Sequence, residues 1–247
     1  MLEIKVLSLF PNMVRTALET SILGRAQVQG QVRYEVVDIR DFAVDKHRTV
    51  DDTPYGGGAG MIMMAPCVVE AVESARRSEQ APVLLTSPQG ERLDEALVLE
   101  LLDQAESAGE LVLVCGHYKG LDERARELLA MREISIGDYV LSGGELPALV
   151  IVDALVRRIA GVLHDQSSAD CDSFTAEREG GLDCPWYTKP PVYRGLTVPE
   201  VLLTGHHAKI EEWRQDQARA RTRARRPDLL RDPEPGDENR APIRRQS

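Results

Sequence analysis

The sequence predicts an α/β protein with a parallel sheet, followed by a small α-helical C-terminal domain. Three observations carry that expectation. Strand-like and helix-like runs alternate through residues 2–163, the pattern of a sheet with helices on its faces. Two of the strand-like runs, "APVLLTS" and "ELVLVCG", are short and continuously apolar, as strands buried on both faces are. After Leu163 the periodicity stops, and a polar stretch leads into two further helix-like runs.

The elements follow in order. "LEIKVLSL" and "VRYEVVDI" are rich in β-branched residues and read as strands. "APCVVEAVESARR" has helical spacing, and so has "LDEALVLELLDQAES", where Leu93, Leu97, Leu101 and Leu102 fall on one face. "DERARELLAM" reads as a helix with Asp122 as its N-cap. "ELPALVIVDALVRRIAGVL", residues 145–163, reads as one long helix, apolar nearly all round and therefore buried on every side. A symmetric second copy is a natural cover for such a helix. "HDQSSADCDSFTAEREGGLDCP" is polar and glycine-bearing, and residues 164–184 read as a flexible interdomain linker. "TVPEVLLTG" and "HHAKIEEWRQDQARARTRARR" read as helices of a second domain over residues 185–230. Residues 231–247 are Pro-bearing and mixed in charge, as in a disordered tail.

Composition narrows the function. At 43% hydrophobic the chain can bury a sizeable core, but no apolar run reaches the length of a membrane span. The start "MLEIKVLSLFP" places Glu3 and Lys5 inside its apolar run and reads as a first strand rather than a signal peptide, so a cytoplasmic protein is expected. Cys67, Cys115, Cys171 and Cys184 form no CxxC pair, which points to reduced thiols rather than a zinc site. The net charge of −10 argues at first against a nucleic-acid partner. Its distribution argues the other way: residues 206–226 hold seven Lys or Arg and three acids, a net +4 against −14 for the remainder, and a local basic patch can bind phosphates.

Four glycine-bearing loops stand out: "DDTPYGGGAGM" (51–61), "TSPQGE" (86–91), "CGHYKGLDER" (115–124) and "SIGDYVLSGGELP" (135–147). Three of them follow strand-like runs, so a parallel sheet would gather them at one edge, where α/β proteins bind ligands. Singly, each reads as a strand end or a helix cap; together they point to a site. GxxxxGK[ST] is absent, and so is GxGxxG after the first strand. The loops are poor in cations and offer backbone groups, which suits a neutral or zwitterionic adenine-containing ligand better than a pyrophosphate.

"YGGGAGM", "SPQG", "CGHYKGLDER", "SIGDYVLSGGELP", "DSF", "LDCPWYTKP" and "LTGHHAKIEEWR" occur in the order seen in bacterial tRNA (guanine-N1)-methyltransferases, and over residues 2–230 the chain resembles that family. The resemblance implies a SPOUT-type fold with a deep trefoil knot that binds S-adenosylmethionine (AdoMet), a helical domain that holds tRNA, and a homodimer. It implies methylation of N1 of the guanine just 3′ of the anticodon. Matching positions give Ser87, Pro88, Gly90, Gly116, Tyr118, Ser135, Ile136, Gly137, Asp138, Tyr139, Val140, Leu141, Gly143, Gly144 and Pro147 as cofactor contacts. A core role stays open for Tyr118 and Tyr139.

The implied chemistry needs few groups. Guanine N1 must lose its proton as it attacks the methyl group, and a carboxylate in reach can take it. Charge then develops towards O6, where a cation helps. By resemblance the base is Asp172 of "DSF", with Asp170 as a nearby decoy. The cation is Arg157, with Arg158 as its neighbouring alternative; a cation in so apolar a stretch requires a partner in any case. Tyr55, Gly57, Gly58 and Gly60 would lie under the flipped guanine. Arg214, Arg219, Arg221, Arg223, Arg225 and Arg226 would meet tRNA phosphates, or form a solvated helix face. Mg2+ enters the resemblance as an activator. His117 and Lys119 stand where many relatives carry Arg and Glu, so a direct metal role is not carried over to Lys119. Two rival readings remain: a SPOUT methyltransferase acting on ribosomal RNA, and a non-catalytic RNA-binding module.

Overall fold

A computed structural model describes residues 1–164 and 170–230. The chain divides into two compact units, Met1–His164 and Asp165–Ser247. The first holds strands β1 (Leu2–Ser8), β2 (Val32–Asp38), β3 (Asp51–Asp52), β4 (Ile62–Met63), β5 (Val83–Arg92), β6 (Glu110–Cys115) and β7 (Arg132–Ser135). Its helices are α1 (Pro11–Leu18), α2 (Ser21–Val28), α3 (Ala65–Ala75), α4 (Glu95–Ala108), α5 (Glu123–Leu128) and α6 (Glu145–Val156). Five strands form one parallel sheet in the order β2-β1-β6-β5-β7. The expected strands and the parallel α/β class are all present.

Side chains alternate across this sheet with period two. Ile4, Val6, Leu111, Leu113 and Cys115 face one core, closed by α1, α2, α4 and α6. Leu7, Val112 and Val114 face a second core under α3 and α5. Both faces are therefore covered, which is why β6 is buried along its whole length. Lys5 shares the second face and is fully buried; its ammonium donates to Glu110 and to the Ala75 carbonyl. The expected cap forms, Asp122 accepting from Arg124 N–H at the start of α5, and a second one that was not expected, Asp94 accepting from Leu97 N–H, opens α4.

Several elements differ from expectation. The helix expected over 145–163 ends at Val156, and the chain continues through turns from Arg157. It is not buried all round either: Ile151, Val152, Leu155 and Val156 are buried, while Leu146 and Val150, one turn apart, are exposed. "TSPQGE" does not follow a strand but lies inside β5: Thr86 and Glu91 both pair with Ile134, so Ser87–Gly90 loop out between them. "DDTPYGGGAGM" closes the small β3–β4 hairpin rather than the main sheet.

The second unit holds the hairpin of β8 (Val192–Tyr193) and β9 (Leu196–Thr197) and the long helix α7 (His207–Arg225). "TVPEVLLTG" forms only a 3-10 turn, Glu200–Leu203. Of the segment expected as a linker, residues 165–169 lie outside the described residues. Residues 172–182 are hydrogen-bonded to each other and to α7: Phe174 N–H donates to Gly181 O (2.7 Å), and Leu182 N–H to Thr222 Oγ1 (2.9 Å). The tail 231–247 also lies outside the described residues.

Candidate active site and nucleic-acid interface

β6, β5 and β7 are neighbours, so the loops at their carboxyl ends meet. Thr86 organises the junction. Its hydroxyl donates to Val114 O (3.3 Å) and accepts from Gly116 N–H (3.2 Å). Gly144 N–H donates to Gly116 O (2.7 Å), and Gly143 bridges to His117. The chain thus leaves edge strand β7, passes the end of β5, and is tied to the end of β6 before α6 begins.

The glycines have a reason that the sequence did not show. A Cβ on Gly144 would lie 2.0 Å from Thr86 Oγ1 and 2.6 Å from Gly116 N; one on Gly90 would lie 2.4 Å from Glu133 C. A Cβ on Gly143 would meet Glu145 Oε2 at 2.4 Å and His117 Nδ1 at 2.6 Å. Gly90 is small because the backbone of β7 stands where a Cβ would go, and Gly144 because the end of β6 does; at Gly143 the space is taken by the Glu145 and His117 side chains. What the loops present outwards is different: Tyr139, Val140 and Leu141 are exposed, at 56%, 81% and 40%. Ser135 is buried and turns the loop by bonding both N–H and C=O of Gly137. Ser87 Oγ accepts from Gln89 N–H (3.1 Å). Ile136 and Pro147 are half-buried, and Asp138 is exposed. Ser87, Pro88, Gly90, Gly116, Ser135–Leu141, Gly143 and Gly144 therefore all gather at one sheet edge.

Tyr118 has a role of its own. At φ +59 it projects from the β6 loop, edge-on to His117 (4.7 Å between ring centres). Burial and the neighbouring Asp51 carboxylate push its phenol up, with Arg40 opposing. It thereby joins the β6 loop to the β3–β4 hairpin. Lys119 does the same: its N–H donates to Met61 O, and its side chain packs on Gly60. Met63 N–H donates to Gly120 O, and Asp122 N–H to Met63 O. The candidate substrate loop, with Tyr55 fully exposed at its tip and Gly57 and Gly58 beside it, is thus anchored to a candidate cofactor loop.

Sequence reasoning missed a buried acid. Glu145, 3% exposed, opens α6 and accepts from Ser8 Oγ (2.8 Å). A carboxylate in the first turn of a helix is favoured by the helix dipole. Burial and this carboxylate push the Cys115 thiol well up. Of the two arginines at the end of α6, Arg157 occupies the C-cap, while Arg158 is nearly buried and pairs with Glu95 at 3.0 Å. That pair gives Arg158 a structural task. Among the described residues no cluster of His, Cys, Asp or Glu could hold a metal ion.

In the second unit, Arg178 is the residue without a sequence signal. Its side chain is 6% exposed, its Nε donates to Cys171 O and contacts Asp183 Oδ1 (both 3.0 Å), and its guanidinium also faces Glu211 on α7. It fixes the turn that carries half-buried Asp172, whose carbonyl accepts from Thr175 Oγ1 (2.8 Å). Asp170, on the same segment, is exposed. Arg221, Arg223 and Arg225 lie along α7; Arg219 reaches Glu179 (3.4 Å), and Arg226 reaches Asp228 (2.7 Å). Arg214 lies over the Trp186 ring, 4.6 Å from its centre.

A parallel sheet covered on both faces, with three loops tied together at its carboxyl edge, defines an α/β protein of the class whose candidate site lies at that edge. The comparisons give the family. The family model described as tRNA (Guanine-1)-methyltransferase TrmD matches residues 2–232, and the chain belongs to that family. It is 52% identical over 230 residues to a tRNA (guanine-N(1)-)-methyltransferase of Anaeromyxobacter sp. (strain K), covering 93% of this chain and 91% of that protein. Proteins of the same name from Dehalococcoides mccartyi (48% over 231 residues, 93% and 90%) and Desulforamulus reducens (47% over 242 residues, 97% and 92%) are similar over the same span.

Proposed function

We propose that this chain methylates N1 of the guanine just 3′ of the anticodon in tRNA, with AdoMet as methyl donor. The observation that carries the reading is similarity over 93% of the chain to relatives named tRNA (guanine-N(1)-)-methyltransferase, joined to the three loops tied together through Thr86, Gly116 and Gly144. The loops fit such a donor: they offer backbone groups and exposed Tyr139, Val140 and Leu141 to an apolar, uncharged moiety. When bound, AdoMet supplies an electrophilic methyl group. Asp172 takes the proton from guanine N1. The Arg157 guanidinium offsets charge developing at O6. The β3–β4 loop, with Tyr55, Gly57, Gly58 and Gly60, lies under the extruded base. The basic stretch of α7, Arg214 and Arg219 included, meets the tRNA backbone. Mg2+ is an activator in this reading, and among the described residues no cluster of His, Cys, Asp or Glu could hold it.

The same reading makes the crossing from β7 back to β6, followed by α6, a deep trefoil knot. It places residues 185–230 in tRNA binding and the protein in the cytoplasm as a homodimer. The exposed Leu146 and Val150 on α6 support a second copy as their cover, with cofactor loops from one chain and Asp172 from its mate. No helix among the described residues is long and apolar enough to cross a membrane. The test is incubation of the protein with methyl-labelled AdoMet and unmodified tRNA, followed by nucleoside analysis. Label in 1-methylguanosine at the anticodon-adjacent site is expected. Label in a 2′-O-methyl nucleoside, or no transfer at all, overturns the reading.

A further inference from the structure

The second unit contains a cavity of about 500 Å3 that no step of the proposed chemistry uses. Its lining includes Trp186, Tyr187, Lys189, Leu203, Ile210 and Arg214. It is apolar inside, with two cations among its walls, and it opens beside the basic stretch of α7. Its aromatic wall is unusually exposed for so large a ring: Trp186 is 61% accessible, and Leu203 is exposed beside it.

The indole is held in place. Trp186 Nε1 donates to Asp183 Oδ2, and Asp183 is itself fixed by nearly buried Arg178. The Asp183 charge is therefore already paired. The Arg214 Cζ lies over the ring 4.6 Å from its centre, within reach of a cation–π contact. Tyr187 is braced by Trp213 (6.3 Å between ring centres). The result is a rigid aromatic plate with a guanidinium on it, Lys189 nearby, and no acid aimed into the cavity among its lining residues.

We propose that this pocket receives one unstacked nucleobase of the tRNA, distinct from the guanine that is methylated. The proposal rests on the tRNA reading above. Aromatic plates beside cationic grooves bind single-stranded bases because every base has a π-face, and the neighbouring cations meet its phosphate. The charge pattern selects this occupant over an apolar peptide: Lys189 and Arg214 line the pocket, and the stretch from His206 to Arg226 carries seven Lys or Arg against three acids. A cavity of about 500 Å3 has room for a base together with its sugar, with the phosphates meeting Lys189 and the cations of α7.

The experiment uses the full chain with Trp186→Ala, a change at a largely exposed ring. tRNA affinity is measured across a salt series, AdoMet affinity by calorimetry, and oligomeric state by light scattering. Loss of one base stack lowers tRNA affinity about tenfold while the salt slope and AdoMet affinity stay at wild-type values. Trp186→Phe restores most of the affinity, and Leu203→Glu at the exposed rim reproduces the loss. Wild-type tRNA affinity in Trp186→Ala overturns the proposal. So does a salt slope lower by about one, which marks a lost phosphate contact instead, or a change in oligomeric state, which marks a second copy as the occupant. If the wild type transfers no methyl group yet Trp186→Ala loses tRNA affinity, the activity reading falls and the pocket stands. If transfer is normal and the variant binds tRNA fully, the pocket alone falls.

Discussion

Gly144→Ala adds a single methyl group at the tightest point of the loop junction. Gly144 sits at φ −83°, where alanine is unstrained, so the effect is steric alone. The added Cβ meets Thr86 Oγ1 at 2.0 Å, Gly116 N at 2.6 Å and Cys115 Cα at 2.9 Å. Two of these are backbone atoms at the end of the buried strand β6. The third is a hydroxyl held by Val114 O and Gly116 N–H. None can yield, so the 143–145 segment must lift, losing the 2.7 Å bond from Gly144 to Gly116 and the Gly143–His117 bridge. Overpacking of this kind costs about 1–3 kcal/mol, and the lost hydrogen bond about 1 kcal/mol more. The unfolding midpoint should then fall by roughly 4–16 °C, at ~2–4 °C per kcal/mol for a domain of this size. AdoMet affinity should fall at least tenfold, because the lifted segment carries the candidate cofactor contacts Gly143 and Gly144. Thermal unfolding followed by circular dichroism, with calorimetry for AdoMet, reads both. Adding Thr86→Ala removes the 2.0 Å contact and leaves the two backbone contacts, so only part of the loss should return. A Gly144→Ala protein that melts within about 1 °C of wild type and binds AdoMet normally would refute the packing argument.

Two further outcomes are expected. Asp172→Asn and Gly143→Val homodimers should each transfer no methyl group, while verified heterodimers of the two regain one working site; no recovery in such heterodimers rules out a site shared between copies. Glu110 is buried, which pushes its carboxyl up, but Lys5 and the N–H groups of Ser78 and Arg77 bond it and hold it below the ordinary value. A depressed carboxylate adds stability above its unfolded pKa and loses it as pH falls through the folded one. Glu110→Gln should therefore cost about 3–5 kcal/mol near neutrality, as breaking a buried pair does. The gap to wild type in urea unfolding should narrow below about pH 4; a gap that is constant from pH 7 to pH 3 would exclude the ion pair as its source.

Much of the fold was legible in the residues. The continuous apolar runs at β5 and β6 announced strands covered on both faces, and Asp122 before "ERAREL" marked a helix start, because burial pattern and capping are local properties. The family was legible too, through loops quoted in order. Other features were beyond local reading. The length of α6 was overestimated because apolar composition continues past Val156, while the helix itself stops there. "TSPQGE" was placed after a strand because Pro and Gly mark a turn, yet Glu91 and Arg92 rejoin β7 beyond the bulge. The glycines of the candidate site were assigned to ligand space. Only the packed structure shows that Gly90, Gly143 and Gly144 are small because atoms of β7, of the Glu145 and His117 side chains and of the end of β6 already stand where a Cβ would go. Arg178, Glu145 and Thr86 were given no role by the sequence, although the last two lie in quoted loops: each matters through partners 5, 137 and 28–30 residues away in the chain. The sequence by itself determined the alternating α/β pattern, the basic α7 and the family, since these depend on residue type and local order. The tertiary structure alone decided which glycines are steric necessities, that Arg158 pairs with Glu95, and which carboxylate is buried at a helix start, because those properties belong to atoms brought together only when the sheet closes.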